Sequence, residues 1–135
     1  MRLQHISLGL AMAWMALIFY LSSQSSLPTP ELFPQQDKVI HAVFYGILAI
    51  LLLGGFRPGV TGYTKTHRLL AVLAASLYGI SDELHQSFVP DRDADMLDWL
   101  ADTTGAVVAV WLLASLVRKV LLARHYAVTG RTEHL

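Results

Sequence analysis

Four apolar stretches, each close to the length of one bilayer crossing, constrain this chain more than anything else in it. They run from about Ile6 to Leu21, Val39 to Phe56, Leu69 to Phe88 and Leu97 to Leu116. A helix needs roughly 20 predominantly apolar residues to cross a hydrocarbon core about 30 Å thick. In lipid every backbone N–H and C=O must be satisfied within the protein, and a helix does this inside one segment. A soluble globule fails on composition, because 54% of residues are hydrophobic and 15% charged, against about a quarter charged in soluble domains. At 135 residues the chain has too much surface for its volume to hide that apolar area from water. The expectation is an all-α integral membrane bundle of four transmembrane helices, a single domain over residues 1–135. Between the spans lie loop signals: Ser22 to Pro30, then Arg57-Pro58-Gly59 with Gly62, then Pro90. Arg2 precedes the first apolar run, but no clean small-x-small cleavage site follows it, so this run reads as a span and not as a signal peptide.

Lys and Arg set the orientation of such a bundle. Arg2 at the N-terminus, Arg57, Lys65 and Arg68 in the second loop, and Arg118, Lys119, Arg124 and Arg131 in the tail make up eight of the ten basic residues. Both termini and the second loop are therefore expected in the cytoplasm. Lys38 and Arg92 fall at the opposite face, as do nine of the ten acids, all but Glu133. The basic segments are too sparse for nucleic acid and suit anionic lipid. With no cysteine, disulfide and thiolate chemistry are excluded.

Three spans bring polar residues to the outer half. Asp37, Lys38, His41 and Tyr45 share one face of the second. Asp82, His85 and Gln86 share a face of the third, with Glu83 one residue around. Asp95, Asp98 and Asp102 form a stripe on the fourth that Gly105 and Ala109 continue, small residues that admit a close neighbour. Asp82 lies 14 residues beyond Arg68, about 21 Å up the core at about 1.5 Å per residue. Acids at that depth face a bundle interior and mark function. Asp37 and Asp95 open their helices, where the dipole favours acids, and read equally well as caps. Asp82 and Glu83 close theirs, where it does not, so pairing with Lys38 or Arg92 is the structural alternative to a functional role. His41 and His85 beside carboxylates suit proton transfer. They are also the residue types that hold zinc or another divalent ion, but no tight ligand spacing is present, and no metal ligand or cofactor is assigned. Trp99 sits where an interfacial belt would be, and His5, His67, His125 and His134 are expected to be solvated.

These segments carry a resemblance. Asp37-Lys38-Val39-Ile40-His41-Ala42-Val43-Phe44-Tyr45, then Ser81-Asp82-Glu83-Leu84-His85-Gln86-Ser87-Phe88-Val89-Pro90-Asp91-Arg92, then Asp95, Asp98, Asp102 and Gly105 resemble three motifs of the VanZ-like membrane protein family. Ser22-Ser23-Gln24 is similar to the serine-rich end of that family's first helix. The resemblance covers about positions 14 to 115, and Asp91 stands where many relatives have Gly. The family takes its name from a protein linked to teicoplanin resistance at the bacterial envelope. The resemblance therefore implies a multi-pass protein of the bacterial cytoplasmic (inner) membrane with a candidate influence on glycopeptide susceptibility; it implies no reaction.

Three roles stay open. As an enzyme on a lipid-linked or cell-wall substrate, the chain would use Glu83, His85, His41 and Asp82 for acid/base chemistry. Lys38, Arg92, Gln86, Tyr45, Asp98 and Asp102 would bind substrate, with Lys38 and Arg92 on an anionic group; a nucleophile is lacking unless Ser22 or Ser23 joins. As a binding protein it would hold a lipid head group or glycopeptide without turnover. As a structural protein its polar residues would only join helices. Membrane lipids are partners in all three, and a homo-oligomer is compatible with each.

Overall fold

The computed structural model describes residues 2–25 and 32–132, with side chains through 127. The expected loop residues 26–30, Glu31, Glu133, His134 and the Arg131 side chain lie outside the described residues. The architecture is all-α: α1 (Arg2–Ser22), α2 (Gln36–Gly54), α3 (Lys65–Gln86) and α4 (Met96–Thr132).

The elements stand where the apolar stretches put them, with shifted ends. The third helix begins at Lys65 rather than Leu69 because Thr64 caps it, its hydroxyl accepting from the His67 N–H at 3.1 Å. It stops at Gln86, short of Phe88, where tighter turns take over, with Phe88 N–H on the His85 carbonyl and Val89 N–H on that of Gln86. The fourth helix runs on past Leu116 to Thr132. Charge beginning at Arg118 ends an apolar span but not a helix, and residues 117–127 contain no breaker. At 37 residues and about 1.5 Å each, α4 is about 55 Å long and outruns its neighbours.

Three helices, α1, α2 and α4, are long and apolar enough to cross a membrane. The sequence reading counts α3 with them, but its basic start and acidic end leave it less apolar. Its arrangement is nonetheless inverted relative to a helix in water. Leu70, Leu73, Leu77, Ile80 and Leu84 face outward along its whole length, while Ser76, Asp82, Glu83 and Gln86 are buried. A soluble helix puts its apolar stripe inside.

The core is small-residue packing around a few large side chains: Tyr45, Leu48 and Leu53 of α2 against Ala71 and Ala75 of α3 and Ala106 and Val110 of α4. The closest approach is between α2 and α4. A Cβ on Gly105 would run into the Ala42 backbone carbonyl, and one on Gly46 would lie 3.2 Å from the Gly105 carbonyl oxygen. Interhelical hydrogen bonds tie the rest. Trp14 Nε1 donates to the Phe44 carbonyl (2.9 Å), the Tyr78 hydroxyl to that of Met15 (2.7 Å), and Ser7 Oγ to that of Leu51 (2.7 Å). Trp99, expected in an interfacial belt, donates from Nε1 to Ser76 Oγ at 3.1 Å. His67, expected to be solvated, is half-buried and stacked on Phe56 with ring centroids 4.7 Å apart.

Gly105→Ala is expected to destabilise the bundle by about 1–3 kcal/mol, the usual range for forcing atoms into a packed contact. Gly9, whose Cβ would meet nothing within 4 Å, provides the control. Gly9→Ala should be neutral or stabilising by up to about 1 kcal/mol, because alanine is the better helix former. Thermal unfolding of the two purified variants in detergent checks both.

Candidate functional site

The polar residues of three helices converge at the end of the bundle where α2 and α4 begin and α3 finishes. Lys38 is the centre of one half. Its ammonium lies 2.7 Å from Asp95 Oδ2, 2.8 Å from Asp98 Oδ1 and 2.9 Å from Asp37 Oδ2. Asp95 is also the N-cap of α4, with Oδ1 accepting from the Leu97 N–H at 2.8 Å. The Lys38 ammonium beside it holds the Asp95 carboxyl below the usual carboxylate range. The backbone N–H of Asp95 donates to Glu83 Oε2 at 2.8 Å. One residue thus joins the start of α4 to α2 through a charge and to α3 through a hydrogen bond.

The other half lies deeper. His41 Nδ1 is 3.0 Å from Oδ1 of Asp102, whose side chain is fully buried. Asp102 reaches that position because α3 carries Gly79 opposite it, where a Cβ would sit 2.9 Å from Asp102 Oδ2. Gln86 Nε2 donates to Asp82 Oδ2 at 3.2 Å. Asp82 Oδ1, Glu83 Oε1, Asp102 Oδ2 and the Tyr45 hydroxyl are buried with no hydrogen-bond partner among the described residues. No Lys or Arg pairs with Asp82, Glu83 or Asp102 among those residues. The alternative raised from sequence, pairing of Lys38 or Arg92 with the two α3 acids, is not what forms. Lys38 is committed to α2 and α4 carboxylates, and Arg92 Nε donates to the Gln24 carbonyl at 3.0 Å.

A cavity of about 660 Å³ opens between α1, α2, α3 and the loop that leads to α4. Its lining combines apolar side chains, Ile18, Leu21, Ile40 and Phe44, with polar ones, His41, Tyr45, Asp82, Gln86, Asp91 and Arg92. Of the candidates named from sequence, Lys38, Glu83, His85, Asp98 and Asp102 stand outside this lining, Glu83 and Asp102 grouped with His41. Asp91 adopts the left-handed backbone conformation (φ 62°), which glycine takes freely and aspartate tolerates.

His85 turns away to α1. Its ring stacks on Phe19 with centroids 4.4 Å apart, and Nε2 lies 3.0 Å from Ser23 Oγ. The Ser23 hydroxyl also lies 2.7 Å from the Phe19 carbonyl, so its one proton serves either that carbonyl or the imidazole. The other serine, Ser22, is buried and lines the cavity. The sequence showed the serine-rich end of the first helix, but not which hydroxyl faces the space.

His41, Glu83 and Asp102 each offer one ligand atom within 4.8 Å of the others. Among the described residues, they are the group at this end that could hold a metal ion.

No curated protein and no solved structure matches the chain. The model of the VanZ/LLP1 family matches it over residues 7–118, a span that contains the whole polar cluster and all the helix packing around it. The chain therefore belongs to the VanZ/LLP1 family and is a VanZ-like membrane protein.

Proposed function

We propose that this protein works in the envelope of a bacterial cell, in its cytoplasmic (inner) membrane, and that its cavity takes a lipid-linked or cell-wall substrate at the outer leaflet. In this reading the chain crosses four times with both termini cytoplasmic. The outward Leu and Ile stripe of α3 supports a fourth crossing, since an apolar face along the full helix suits lipid and its polar residues are turned to the interior. The distribution of Lys and Arg supports the orientation.

The observation that carries the substrate reading is the cavity's mixed apolar and polar lining. Its volume falls within the range of small-molecule sites. A lining of apolar side chains together with polar ones and one guanidinium suits an amphiphile bearing an anionic group. Arg92 keeps its terminal N–H groups free of partners among the described residues and can meet a phosphate with two parallel hydrogen bonds. His41 and Asp82 would meet the reactive part of the substrate, with Gln86 and Tyr45 orienting it. Glu83 and Asp102 would set the charge state of His41 from behind, while Lys38 and Asp98 fix the helix ends. Influence on teicoplanin susceptibility would follow from that substrate. Ser23 and His85 stand outside the cavity lining, and a second reading therefore stands beside turnover, in which the cavity holds a head group without chemistry.

Envelope lipids and wall fragments compared by mass spectrometry, from cells expressing wild type or Glu83→Gln at matched levels, test turnover. A product made only by wild type is expected, and identical profiles would sink the catalytic role. Arg92→Gln is expected to weaken binding of a phosphate-bearing lipid by roughly 10- to 100-fold, the loss of a charged hydrogen bond, as read by lipid titration of the purified protein. The chain has no cysteine, so single-cysteine variants test the topology. Asp93→Cys should react with an impermeant maleimide in intact cells and Thr61→Cys only after lysis; the reverse pattern would overturn the orientation.

A further inference from the structure

We infer that His41, Glu83 and Asp102 form a binding site for one divalent transition-metal ion of the Zn²⁺ or Mn²⁺ type. The inference goes beyond the lipid-substrate reading and does not require it, because these three side chains would hold the ion with the cavity empty.

Charge supplies the first reason. Glu83 is 7% exposed and Asp102 is not exposed at all. Ionised carboxylates so placed are strongly disfavoured unless a cation compensates them. The nearest candidate, Lys38, is already shared by Asp37, Asp95 and Asp98. A neutral imidazole, two carboxylates and a divalent ion sum to zero charge.

An unsatisfied atom supplies the second reason, independent of the charge count. Glu83 Oε1 is buried without a hydrogen bond among the described residues, yet the carboxylate is held through its other oxygen, Oε2, which accepts from the Asp95 N–H. A carboxylate fixed at one oxygen and open at the other is the arrangement that outer partners impose on metal ligands.

Distance supplies the third. Donors bound at about 2.0–2.2 Å to one metal lie about 3.0–3.5 Å apart when adjacent. His41 Nδ1 and Asp102 Oδ1 are already at 3.0 Å. The ligand atoms of all three residues fall within 4.8 Å of one another, so a shift of about 1–2 Å, within reach of a Glu side-chain rotation, brings them to bonding geometry. Nitrogen and carboxylate oxygen together suit a borderline ion such as zinc or manganese, whereas calcium takes six to eight oxygens. Three protein ligands leave a coordination position open, and His41 places it beside the cavity wall.

The test uses the full-length protein in detergent, stripped with chelator and then titrated calorimetrically with ZnCl₂ and MnCl₂ without added lipid. One ion per chain is expected, with a rise in melting temperature. Glu83→Gln and His41→Gln should each weaken binding at least tenfold, while His5→Gln, at the exposed far end of α1, should not. Asp102→Asn should do the same as the first two, but its burial puts the fold at risk, so those two carry the decision. Absence of one-to-one binding by either metal overturns the site, as does binding that both variants leave unchanged. Because no lipid is present, failure here leaves the substrate reading untouched, and a failed lipid assay leaves this one untouched.

Discussion

The end of the bundle that carries the polar residues is organised by one ammonium group. Lys38 sits at the start of α2 and contacts carboxylates of α2 and α4 within 2.9 Å. Without it, Asp95 and Asp98 would face each other's charge at the mouth of α4. With it, Asp95 is free to cap α4 and to present its N–H to Glu83. The placement of Glu83, and through it the relation of α3 to α4, follows from that charge. Removing one partner of a buried or half-buried ion pair usually does more harm than the pair itself contributes, because the remaining charge is stranded.

The remainder of the bundle is held by means suited to lipid, where burial of apolar surface gives little drive for helices to associate. Small residues let α2 and α4 approach until Gly105 meets the Ala42 backbone. Single hydrogen bonds from Trp14, Tyr78 and Ser7 reach backbone carbonyls on neighbouring helices. Such contacts average under about 1 kcal/mol each in a bilayer, so specificity here is spread over many of them. Its densest part is the polar end, which also holds the cavity.

Much of this was legible from residues alone. Apolar run lengths gave the helices, helical spacing gathered Asp37, Lys38, His41 and Tyr45 on one face, and the Asp95 cap and the Gly105 stripe were readable from position. Partners were not. Lys38 is far in sequence from both Asp82 and Asp98, and only the rotation and register of three helices decide that its ammonium meets α4. His85 follows the same rule: spacing groups it with Asp82 and Gln86, but α1 lies beside it and offers Phe19 and Ser23. The length of α4 escaped because hydropathy marks where a span ends, whereas helix formers such as Leu121, Leu122 and Ala123 carry the backbone onward.

Gly79 opposite Asp102 has a consequence for how such a sequence can change over generations. Any side chain at position 79 meets Asp102 Oδ2 at 2.9 Å and the Tyr45 ring at 3.4 Å, so position 79 is closed while the aspartate stands. Shortening Asp102 would release that restriction and at the same time withdraw the carboxylate from His41. The two positions therefore form a ratchet: the acid forbids a larger residue at 79, and a larger residue at 79 would forbid the acid. The order is therefore fixed: the aspartate has to go first, and a lineage that lost it would have position 79 free to fill, with no easy return.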